Sequence, residues 1–89
     1  MTDSPWTNGH IHSELWGMSS EQKALKALGK NIKDHRKQSG LTQEQLAELC
    51  EFDPTYISLL ERGKRNPAFL TVVKIAKYLE CAVSELADV

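Results

Sequence analysis

The chain has few of the residues that mark specialised chemistry. Only two of its 89 residues are cysteine, Cys50 and Cys81, and they do not form a CxxC pair. Both fall at apolar positions of expected helices, so they read as small buried hydrophobes rather than as a redox couple. No apolar run approaches the length of a bilayer crossing, and no secretory h-region is present, so cytoplasmic residence is expected. Nucleophile–base pairs, metal-ligand constellations and glycine-rich phosphate loops are all missing. A helical domain this small also has little room for a pocket, so an enzyme is not expected, nor a cofactor or a small-molecule ligand. Strand signals are missing too, which leaves an all-α, five-helix domain.

Positive charge is absent from residues 1–20, MTDSPWTNGHIHSELWGMSS, which are rich in Ser, Asn, Gly and Pro. A flexible N-terminal tail is expected there, followed by one folded domain over residues 21–89. Met18-Ser19-Ser20 would also make a start, which leaves it open whether the tail is an extension. Trp6 and Trp16 are an unusual aromatic load for a tail and could dock on the domain or on a partner. His10 and His12 lack a third ligand and read as surface histidines.

What remains is concentrated. The net charge is −1, but all eleven Lys and Arg lie between Lys23 and Lys77 alongside only six acids, a local net of +5. That asymmetry, rather than the total, is the footprint expected of a nucleic-acid partner.

Residues 42–65, TQEQLAELCEFDPTYISLLERGKR, organise the rest. Thr42 with Gln45 forms a capping-box pattern, and Leu46, Ala47, Leu49 and Cys50 make one apolar face. Asp53-Pro54 starts a second short helix, and Gly63 ends it. Ile57 and Leu60 face inward together, which turns Thr55, Tyr56, Ser58 and Leu59 outward, just ahead of Lys64 and Arg65. Hydroxyls on one short helix, with cations just past its end, suit base reading with phosphate anchors.

On the TQEQLA, YIS, LERGKRNP and KIAKYL stretches, the chain resembles the lambda-repressor-like (XRE or Cro type) regulators, close to the restriction–modification controller proteins. The likeness runs from about Leu25 to Ala87. It implies a helix-turn-helix that binds double-stranded DNA and controls transcription. Gln43 would contact a phosphate or orient a neighbour, Thr55 and Ser58 would face base edges, and Leu59 could touch a thymine methyl. Tyr56, Lys64 and Arg65 would meet the backbone, with Asn66 beside them.

Helix 1 is expected over residues 21–39, with Leu25, Leu28, Ile32 and Arg36 as its buried stripe. Lys23, Lys26, Lys30, Lys33 and Lys37 are expected to spread over its solvated faces, with one or two near either end of the helix able to reach phosphate. A buried Arg36 needs a carboxylate partner, and the resemblance supplies Glu61 as the internal structural pair. Helix 4 is expected from about Ala68 to Leu79, with Phe69, Val72, Ile75, Ala76 and Leu79 in the core, and Ser84 caps helix 5. Leu70, Val73 and Tyr78, with Val83 and Val89, are left over as a homodimer seam.

Glu51 and Glu80 stand where the resembled family usually places glycine, and Pro54 stands where its controller-like members often carry a base reader. The rival to a DNA-binding regulator is a protein-interaction module on the same fold, in particular an antitoxin-type protein that binds a toxin and its own promoter.

Overall fold

The computed structural model describes residues 17–89; Trp6, His10, His12 and Trp16 lie outside the described residues. Five helices follow in order: α1 (Ser20–Gln38), α2 (Gln43–Cys50), α3 (Pro54–Glu61), α4 (Phe69–Leu79) and α5 (Val83–Leu86). There is no strand among the described residues.

Local chemistry sets most of the boundaries. Ser19 Oγ accepts the Gln22 amide at 3.1 Å, and Gln22 Oε1 accepts the Ser19 amide at 2.9 Å. This reciprocal cap starts α1 one residue earlier than expected. Thr42 and Gln45 make the same pair of bonds at the start of α2, at 3.0 and 2.9 Å. Asp53 Oδ1 accepts the Thr55 amide at 2.7 Å, and Pro54 takes the first helical position of α3.

The core is built from α1, α2, α3, α4 and α5 together. Ile32, Leu46, Cys50, Ile57, Ile75 and Leu86 are shut off from solvent, with Leu60 and Leu79 almost so. Burial pushes the Cys50 thiol pKa up, so at neutral pH it packs as an uncharged hydrophobe. At the edge of this core Asn31 Nδ2 donates to the carbonyls of Leu86 and Asp88, at 3.0 and 2.9 Å, and ties the end of the chain to α1.

Four expectations need correction. Phe69 is not in the core: as the first residue of α4 it overhangs the rim of an apolar cleft and is 68% exposed. Leu49 is exposed, because Leu46, Ala47 and Cys50 already fill the inward arc of an eight-residue helix. Leu25 and Leu28 are half-buried, while Gly29, Ile32 and Arg36 form the true inner line of α1. Ser84 does not cap α5. The Glu85 carboxylate accepts the Ala82 amide at 2.8 Å, which makes Ala82 the cap position and puts Ser84 inside the helix.

Glu51 and Glu80 do occupy left-handed backbone, at φ 61° and φ 56°. Both close helices, where a negative side chain also opposes the helix dipole. Glu51→Gly or Glu80→Gly should therefore each stabilise the fold by about 1 kcal/mol, read as a shift of the urea midpoint. No shift at either site would mean that the left-handed turns are unstrained.

Candidate nucleic-acid interface

A buried fork fixes how α3 is presented. Arg36 Nε donates to Glu61 Oε2 at 2.6 Å and Arg36 Nη2 to Glu61 Oε1 at 3.0 Å. The two side chains are only 9% and 2% exposed. Arg36 Nη1 donates to the Leu41 carbonyl at 2.8 Å, and Gln43 Nε2 donates to Glu61 Oε1 at 3.0 Å. The Glu61 carboxylate thus joins the end of α3 to the end of α1 and the start of α2, and the Arg36 guanidinium adds the α1–α2 loop. Bidentate, charge-assisted bonds of this kind are the strong class, and they hold orientation as well as distance. The side-chain amide of Gln43 is therefore directed inward, at the carboxylate.

Gly29 brings α1 and α3 close enough for this. A Cβ at Gly29 would overlap the Leu60 carbonyl oxygen and lie 2.6 Å from the Glu61 carbonyl oxygen. Gly63, at φ 73°, lets the chain turn off α3 directly against the Lys26 backbone.

The outward side of α3 and the following loop carry the expected contact residues. Thr55 is exposed, while Ser58 and Leu59 are half-buried on the same helix. Tyr56 is half-buried and packs edge-to-face on Phe52, with ring centroids 5.2 Å apart. The Arg65 guanidinium sits 5.1 Å from the centre of the Tyr56 ring. That cation–π contact draws the exposed Arg65 side chain toward α3. Lys64 is exposed beside it. Asn66 is separated from this group: it borders a shallow cleft against the first turn of α1, with Ser19, Gln22 and Leu25.

Two features escaped the sequence reading. Arg62, at the cap position of α3, is exposed and stands in the same groove as Lys64. Lys23, Lys26, Lys30 and Lys33, expected on several faces, all line that groove together. Their i, i+3, i+7, i+10 spacing was the available signal.

No helix among the described residues is long and apolar enough to cross a membrane. The helix-turn-helix family profile matches residues 32–86. The chain is 39% identical over 61 residues to an uncharacterised helix-turn-helix transcriptional regulator, y4dJ, of Sinorhizobium fredii, covering 68% of this chain and 79% of that protein. It is 39% identical over 59 residues to the control protein C.SmaI of Serratia marcescens, covering 66% and 70%. Among solved structures, the restriction-modification controller protein C.AhdI of Aeromonas hydrophila superposes with a TM-score of 0.67 at 35% identity, over 70% of this chain and 94% of that one. With α2 and α3 as its helix-turn-helix and α1 clamped behind them, the chain belongs to the lambda-repressor-like helix-turn-helix transcriptional regulators and is not an enzyme.

Proposed function

We propose that this protein is a sequence-specific, double-stranded DNA-binding regulator of transcription that acts in the cytoplasm as a symmetric dimer on a two-fold operator. The observation that carries the reading is the convergence of Thr55, Ser58, Lys64 and Arg65 beside a helix whose angle is fixed by the buried Arg36–Glu61–Gln43 cluster. In this reading α3 enters the major groove. Thr55 and Ser58 face base edges, Leu59 meets a thymine methyl, and Tyr56, Lys64 and Arg65 serve the backbone, with Asn66 reaching it only from the separate cleft beside α1. Arg62 joins them as a phosphate contact. Gln43 acts by bracing Glu61. The controller proteins C.SmaI and C.AhdI among the similar proteins make a role beside restriction–modification genes the first to test.

One α3 touches too few base pairs to single out a genomic site, and a two-fold partner doubles the contacts. Leu70 and Val89 are 75% and 66% exposed, and Val73 lies one turn from Leu70 on α4. Phe69 adds a further exposed apolar side chain next to them. Tyr78 and Val83 pack against the core and would contribute only their outer edges. Leu70→Glu with Val73→Glu should give a folded monomer whose operator affinity falls more than tenfold, checked by sedimentation and gel shift.

Salt separates the roles of the contact residues. Lys64→Ala or Arg65→Ala should reduce the slope of log affinity against log salt by about one unit each. Thr55→Ala or Ser58→Ala should relax base preference and leave that slope in place. Affinity that does not change with salt would remove DNA from the proposal.

A further inference from the structure

The lysine row on α1 lies outside the helix-turn-helix, and only Lys26 packs against it, on Gly63 at the end of α3. Lys23, Lys26, Lys30 and Lys33 run along one side of the helix, and Arg62 and Lys64 close the groove from the end of α3. Like charges at these spacings repel one another. The one acid salt-bridged to the row among the described residues is Asp34, 2.8 Å from Lys30 Nζ, whose hydrogen bond holds the Asp34 carboxyl below its usual range. Glu61 also borders the groove, but its carboxylate is already held by Arg36 and Gln43. A concentration of cations with so little internal compensation is suited to an external anion.

We propose that this row is a track for the phosphate backbone of duplex DNA flanking the bases that α3 reads. The inference rests on the DNA-binding function proposed above and extends the surface it uses. Continuity favours DNA: Arg62 and Lys64 are at once the end of the helix-turn-helix and a wall of the groove. Length fits as well. At 1.5 Å per residue the row is about 15 Å long, a reach equal to about four base-pair steps measured along the duplex axis. An acidic protein would normally also need an apolar contact core. The groove offers only Met18 and Ala27, both half-buried, whereas the exposed Phe69, Leu70 and Val89 lie elsewhere.

The test uses the full chain and the triple variant Lys23→Gln, Lys30→Gln, Lys33→Gln; Lys26 is left intact because it packs on Gly63. Both proteins are titrated with the duplex that wild type selects from a random pool. One duplex is trimmed to the selected bases, and the other is extended by about one helical turn, roughly ten base pairs, on each side. Wild type should bind the extended duplex more tightly, and the triple variant should lose that gain. Its salt slope on the extended duplex should fall by up to about 2.7, at 0.9 per phosphate lost, with base preference and helical circular dichroism unchanged. A variant that keeps the gain and the slope overturns the proposal and leaves the row to solvent or to an acidic protein. A changed base preference overturns it too, because the row would then act through α3. If wild type selects no sequence, the proposed function fails, while the same comparison on a random-sequence duplex still decides the row.

Discussion

Glu61→Ala should destabilise the protein by about 3–5 kcal/mol, because it leaves the Arg36 guanidinium buried without its counter-charge. Three elements lose their anchor together. Arg36 keeps only the Leu41 carbonyl, Gln43 loses its acceptor, and the end of α3 is no longer tied to α1. Arg36→Ala should cost a similar amount, with the carboxylate now the stranded charge. Removing both groups in favour of apolar residues of matched volume should recover much of the loss, since a buried pair contributes less to stability than its breakage suggests. Chemical denaturation of the two single variants and the double variant gives the comparison directly. A loss below about 1 kcal/mol in both single variants would show that the pair is solvated rather than buried.

Gly29→Ala should also be costly, against the direction that helix propensity alone dictates. Alanine in place of a mid-helix glycine normally stabilises by about 1 kcal/mol. Here the added methyl meets the carbonyls of Leu60 and Glu61, which are backbone and cannot rotate away. Overpacking in a tight core costs about 1–3 kcal/mol, and the rigidity of the obstacle places this site at the upper end. The net expectation is a loss of roughly 2 kcal/mol after the propensity gain is subtracted. DNA affinity should fall as well, because α1 can relieve the overlap only by tilting α3. A more stable Gly29→Ala protein would mean that α1 and α3 stand further apart than the structure shows.

These two sites differ in how far they could be read from the sequence. Thr42, Gln45, Asp53 and Pro54 act on amides within three residues of themselves, so their spacing alone located α2 and α3. Arg36 stood out because a charge on an apolar stripe demands a partner, although the choice of Glu61 came from family likeness. Gly29 gave no such sign. Its role depends on a carbonyl some thirty residues away, and nothing local distinguishes it from any helical glycine. Phe69 and Leu49 misled for a related reason: helical phase shows which residues share a face, not where the neighbouring helix ends. The lysine row lay in the spacing of α1, but the wall that Arg62 and Lys64 give it appears only after α3 has packed. The inward bond of Gln43 depends equally on where the end of α3 comes to lie.

The central claim, a two-fold regulator that reads DNA through α3, is tested most directly by selection from a random duplex pool with purified full-length protein, followed by footprinting of the winners. The expected winner is an inverted repeat whose half-site centres lie about 34 Å, or one helical turn, apart on one face of the duplex. Thr55→Ala and Ser58→Ala should shift the enriched bases symmetrically in both halves. Enrichment of a single unrepeated site bound by one chain would contradict the dimer. No enrichment at all, at salt low enough for nonspecific binding to be seen, would contradict reading by α3.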